Sequence, residues 1–165
     1  MSLVRKIMAL AAAVLFAAGL WVAPAHAAVT PGGGDGPGCY ANGCDGQDPV
    51  AMGCWNDAYV ASSSIIYYTV FDIGYVDNWY SPSCGTNWAQ VFSTNDAWVY
   101  VYVGSYDAEI FRVQGVDGGA YVAENETSSN GTWTNMLYAR DVQACAEGNL
   151  ISRTTGAHYS AEACA

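Results

Sequence analysis

All six cysteines of this 165-residue chain, Cys39, Cys44, Cys54, Cys84, Cys145 and Cys164, lie beyond its first 38 residues. An even set of this kind in an exported chain reads as three disulfides, which fix a small, loop-rich fold more firmly than its apolar content does. A zinc site would want Cys or His clustered at short spacing. Here the spacings are irregular and His26 and His158 are the only histidines, so neither a metal nor another cofactor is expected.

The export signal is at the start. Arg5 and Lys6 precede an apolar run from Ile7 to Val22 that ends in "APAHA". The run is short for a membrane span, and Ala25 and Ala27 give the small-x-small pattern of a cleavage site. The expectation is a cleavable signal peptide over 1–27, cut after Ala27, and a secreted mature chain. No cysteine follows the cut at once, so nothing points to a lipoprotein. The mature chain keeps Arg112, Arg140 and Arg153 against fifteen carboxylates, a formal charge of −12, with no lysine. Phosphate recognition needs cations, so nucleic acid and anionic membrane are excluded as expected partners. A monomer with an extracellular ligand or protein partner is expected.

Residues 28–38, "AVTPGGGDGPG", form a flexible glycine-proline lead with too little apolar surface to order itself. From Trp55 onward the texture is Tyr, Val, Ile, Thr and Trp with Gly or Asn punctuation, which is strand composition. The predicted strands are 65–71, 74–80, 87–92, 97–104, 109–116, 120–124, 132–142, 149–153 and 157–163. No stretch carries a helical stripe. The fold class is therefore all-β, a small disulfide-stapled antiparallel sandwich or barrel in one domain over 39–165. "VDGGAY" at 116–121 carries a tight-hairpin signal. "NETSSNGT" at 125–132 is a polar loop whose two glycosylation-type triplets, at Asn125 and Asn130, read as accidents of composition.

The C-terminal segment goes further. Cys145 and Cys164 are equidistant from Thr154-Thr155, so a hairpin centred there sets them opposite each other. At a non-hydrogen-bonded pair the Cα atoms are about 4.5 Å apart, within disulfide reach.

"DGQDPVAMGC" at 45–54 and "IGYVDNWYSPSCGTNWAQV" at 73–91 resemble the YjfA-like bacterial proteins, an exported family classed as a domain of unknown function. Its pattern runs from D-G-x-D-P to Gly-Cys, then a strand ending in Tyr-Ser-x-x-Cys, and then Trp-Ala. Asp45, Gly46, Asp48, Pro49, Gly53, Cys54, Tyr80, Ser81, Cys84, Trp88 and Ala89 occupy those places, over roughly residues 40–92. Where many relatives carry arginines this chain has Trp79 and Gln90. The resemblance implies a Cys54–Cys84 bridge and, with it, Cys39–Cys44 across "CYANGC". The crossings Cys39–Cys54 with Cys44–Cys84, and Cys39–Cys84 with Cys44–Cys54, stay open. In this setting Ser81-Pro82-Ser83 is a turn tied down by Cys84, and Trp88 is expected to cover the bridge.

Catalytic inventory is thin. A Ser-His-Asp set would have to use His158, which reads as a surface strand residue, and there is no G-x-S-x-G elbow. Asp72 with Asp77, or Glu124 with Glu126, are candidate carboxylate pairs for a small secreted glycan or wall hydrolase. Asp45 and Asp48 offer two carboxylates to calcium but lack a full ligand ladder, and they also read as turn caps. The strongest binding feature is "AWVYVYVGSY". Read as a strand, it sets Trp98, Tyr100 and Tyr102 on one face and Val99, Val101 and Val103 on the other. Such an aromatic ladder suits sugar rings or a peptide, with Trp133 and Tyr138 as further aromatic candidates. The leading expectation is a non-enzymatic binding or structural module for an extracellular polymer or protein. The alternatives are the hydrolase, and a secreted effector or inhibitor acting through loops such as 125–131.

Overall fold

The computed structural model describes residues 37–113, 131–139 and 142–165, and the backbone of 120–126. The expected leader and its cut, most of the 28–38 lead, the Asp-Gly turn at 117–118, the loop 127–130 and Arg140 lie outside the described residues.

The architecture is an antiparallel β-sandwich. One sheet contains β1 (Tyr59–Tyr68), β2 (Phe71–Ser81), β3 (Thr86–Ser93) and β6 (Gly131–Trp133) in that order, with β7 (Leu137–Tyr138) also pairing with β3. The other runs β5 (Ala120–Glu126), β4 (Val103–Arg112), β8 (Ala144–Ser152), β9 (His158–Cys164). A short helix, α1 (Asn95–Tyr100), carries the chain from β3 in the first sheet to β4 in the second. The sheets face each other with β3 over β8 and β4, and β1 over β9. At the β1/β9 edge Ser64 Oγ donates to the Glu162 carbonyl at 2.6 Å.

Alternation explains the layering. In β2 and β3 the cross-strand pairs Val76↔Val91 and Asn78↔Ala89 face the second sheet, and Trp79↔Trp88 faces away from it. Ile66, Val76, Val91, Ile110 and Leu150 are fully buried between the sheets, each contributing about 1.5–3 kcal/mol relative to exposure. The sheets approach closely at Gly148. A Cβ there would lie 2.8 Å from a Val91 methyl and 3.0 Å from Val76 Cβ.

Several strand bounds differ from the sequence expectation. The strand expected at 97–104 is not one. Residues 95–100 are helical and β4 begins at Val103. Ala97 and Val101, one helical turn apart, are the residues that reach the core, and Val99 is 74% exposed. The chain must leave one sheet for the other here, and that turn overrides the local strand preference. The single strand expected at 132–142 is broken into β6 and β7. Between them Met136 leaves β3, pairs its backbone with Gly46 and Gln47, and buries its side chain. β1 also starts at Tyr59 and ends before a Thr69-Val70 turn, where the expectation ran on to Phe71.

The C-terminal hairpin forms in the expected register. Cys145 pairs with Cys164, with Cα atoms 4.0 Å apart. The neighbouring pair, Ala144 and Ala165, exchanges both backbone hydrogen bonds at 3.0 and 2.9 Å. The cysteines therefore occupy a non-hydrogen-bonded pair.

Candidate functional site

The motif region builds a second, smaller core on the outer face of the first sheet. Residues 39–57 fold over Trp88, which is fully buried with Cys44, Cys54, Cys84 and Met136. The bridges are Cys39–Cys44 and Cys54–Cys84, with Cα separations of 5.2 and 5.8 Å, the pairing the resemblance implied. Trp55 lies over this core, its ring centroid 5.4 Å from that of Trp88 and 5.1 Å from that of Trp79. The Trp88 indole N–H is buried without a hydrogen-bond partner among the described residues.

The motif carboxylates are engaged structurally. Asp45 Oδ1 accepts the Tyr138 amide at 2.5 Å, and its Oδ2 is 3.2 Å from Arg112 Nη2. Asp48 accepts the Ala51 amide at 2.7 Å and the Trp133 indole N–H at 3.3 Å. These are turn and loop clamps, as the cap reading expected. Asp57, not singled out by the sequence, holds the Ser81–Gly85 corner. It accepts the Ser81 hydroxyl at 2.6 Å, the Ser83 amide at 2.8 Å and the Ser83 hydroxyl at 2.9 Å. Burial pushes its carboxyl upward, but these hydrogen bonds outweigh that and hold it below its usual range. The "WYSPSC" corner is thus a stapled turn. Trp79 and Gln90, the two departures from the resembled pattern, bond each other, indole N–H to amide oxygen at 2.9 Å.

Trp98, Tyr100 and Tyr102 come together at one end of the sandwich, on a different scaffold from that expected, while Trp133 and Tyr138 lie at the motif core beside Asp48 and Asp45. Tyr100, on α1, stacks on Phe71 at 4.1 Å between centroids and lies 6.3 Å from Tyr68. Trp98 meets Tyr102 edge-on at 6.1 Å, and the Arg153 guanidinium sits 6.0 Å from the Tyr102 ring centre. Trp98, Tyr100 and Tyr102 are 43, 42 and 50% exposed, beside exposed Tyr67, Val70 and Phe71 of the β1–β2 turn. Thr69 and Tyr102, at φ 56° and 52°, hold left-handed backbone that side chains other than glycine seldom adopt.

Asp72 and Asp77 are not brought together. They lie five positions apart on β2, about 16–17 Å of strand, and Asp77 accepts the Ser63 hydroxyl at 2.5 Å. Glu124 and Glu126 lie on β5, whose side chains are outside the described residues. His158 is exposed opposite Ile151.

Sequence reasoning missed two polar core residues, Asn78 and Asn87, and the groove that Asn87 lines with Tyr59 and Tyr80. The available signal was an asparagine beside a tryptophan in each of two strand segments, "VDNWY" and "TNWAQV". Among the described residues no helix is long and apolar enough to cross a membrane.

Comparison with curated proteins, and with solved structures, finds no match. Comparison with protein families matches residues 42–146, from the first disulfide loop to the start of β8, to the family described as Protein of unknown function (DUF2690). That span is well over half of the chain, and the chain belongs to the DUF2690 family.

Proposed function

We propose that the chain is an exported, non-enzymatic binding module of YjfA-like type whose aromatic end engages an uncharged extracellular polymer. The observation that carries this reading is the exposed cluster of Trp98, Tyr100, Tyr102, Phe71, Tyr67 and Val70 at one end of a stapled sandwich. Exposed apolar side chains gathered at one end in this way mark an interaction site. Left-handed backbone at Thr69 and Tyr102 flanks it, and strain of that sort concentrates where a surface is held in shape for a ligand. Flat rings with polar rims suit sugar faces. The formal charge of −10 for the whole chain disfavours polyanions.

The test is retention of the oxidised protein on insoluble cellulose and chitin. Trp98→Ala and Tyr100→Ala should each weaken retention about tenfold with an unchanged circular-dichroism spectrum. Release of soluble sugar by the wild type, or full retention by the double variant, would reject the reading.

A further inference from the structure

Asn87 is only 5% exposed, yet it lines an open groove of about 540 Å³ at the end of the sandwich away from α1. The groove is walled by Tyr59, Tyr80, Asn87 and Gln143, and the rest of its lining is alanine and valine. Tyr59 and Tyr80 meet edge to face, 5.8 Å between centroids at 74°, and Tyr59 is half exposed.

A polar relay through the core fixes the orientation of Asn87. Its Nδ2 donates to Asn78 Oδ1 at 2.9 Å. The fully buried Asn78 donates Nδ2 to the carbonyls of Ala144, at 2.8 Å, and Ala163, at 3.2 Å, on the second sheet. Those carbonyls flank the Cys145–Cys164 bridge. Both amides thereby take one orientation, and Asn87 Oδ1 is left toward the groove as an acceptor. Two asparagines in an apolar core cost desolvation free energy, and the bonds made by Asn78 and by Asn87 Nδ2 hold the two amides in one geometry.

We propose that this groove binds a neutral saccharide unit. Asn87 Oδ1 accepts a hydroxyl or acetamido hydrogen, the two tyrosine rings cover an apolar sugar face, and the Gln143 amide serves the rim. Flat rings and amides match that chemistry. The site is at the opposite end from Trp98 and Tyr100, so it stands independently of the function proposed above.

The test is an NMR titration of the oxidised full chain with chitotetraose and, separately, with cellotetraose. Shifts should gather at Tyr59, Tyr80, Gln143 and the Asn87 side-chain amide. Response to both sugars identifies hydroxyls as the recognised donors, and response to chitotetraose alone identifies the acetamido N–H; either supports the site. Tyr59→Ala should raise Kd about tenfold, and Ala61→Trp, which fills the exposed mouth without touching the relay, should abolish binding. No shift at millimolar sugar, shifts only around Trp98, or unchanged affinity in Tyr59→Ala and Ala61→Trp would overturn the proposal. A response to an uncharged Gly-Ser peptide with none to either sugar would do the same.

Discussion

Arg112 on β4 reaches Asp45 in the first disulfide loop, guanidinium nitrogen to carboxylate oxygen at 3.2 Å, across 67 positions of sequence. The contact joins the motif region to the second sheet, and both side chains are mostly buried. The other Asp45 oxygen takes the Tyr138 amide, and Arg112 Nε donates to the Tyr138 carbonyl at 2.7 Å. Asp45→Asn keeps an acceptor for the amide and loses the charge pairing, so it should cost about 1 kcal/mol. Asp45→Ala loses both, at roughly 2–3 kcal/mol. Urea unfolding of both variants checks the order, and a double-mutant cycle with Arg112→Ala measures the coupling.

The three bridges should contribute unequally. Chain entropy ranks them by the length of loop closed. With separations of 30, 19 and 5 residues, Cys54–Cys84, Cys145–Cys164 and Cys39–Cys44 should stabilise by about 3.6, 3.2 and 2.1 kcal/mol respectively. Paired Cys→Ala variants unfolded in urea give the ranking. Equal losses from all three would show that local packing, and not loop closure, sets their worth.

Gly148 has no room for a side chain, because Val91 and Val76 of the facing sheet already occupy the space. Gly148→Ala should destabilise by about 1–3 kcal/mol through overpacking, read as a lower denaturation midpoint. Gly43, where an added Cβ meets nothing, supplies the control: Gly43→Ala should leave the midpoint within about 0.5 kcal/mol.

Much of this was legible in the residues. Cys145 and Cys164 announced their own hairpin because a symmetric spacing about Thr154-Thr155 is a geometric statement. The "YSPSC" corner was legible because proline and serine have fixed turn chemistry. The helix at Asn95–Tyr100 was not. Its aromatics and valines alternate as a strand does, and only the crossing between sheets makes Ala97 and Val101 the inward pair. Asn78 and Asn87 were missed for the same reason. The partners of Asn78 lie on the other sheet, and only the packing of the two sheets brings Ala144 and Ala163 to it.

Asp57 gives stability a dependence on pH. Its carboxyl is held below the unfolded value of 3.8 by the Ser81 and Ser83 hydrogen bonds, despite an opposing push from burial. A group depressed in the folded state stabilises it above the unfolded pKa, and that contribution fades as pH falls from near 3.8 through the folded value. Asp57→Asn should therefore unfold more readily at neutral pH and show a shallower loss of stability below about pH 4, followed by thermal melts across the acid range. An acid limb identical to that of the wild type would show that the corner does not depend on the ionised carboxylate.

Thr69 separates stability from binding. It sits in the two-residue turn between Tyr68 and Phe71, at φ 56°, where a β-branched residue is strained and glycine is not. Strain of this kind costs about 1–3 kcal/mol, and glycine returns about 0.5–1 of it through a freer unfolded chain. Thr69→Gly should then raise stability by about 1 kcal/mol. The same change frees the turn that presents Val70 and Phe71 beside Tyr100, so polysaccharide retention should weaken as the melting temperature rises. A variant that gains stability and retains the polymer fully would detach the strain from the aromatic end. One that loses stability would show that the Thr69 side chain contributes more than its backbone costs.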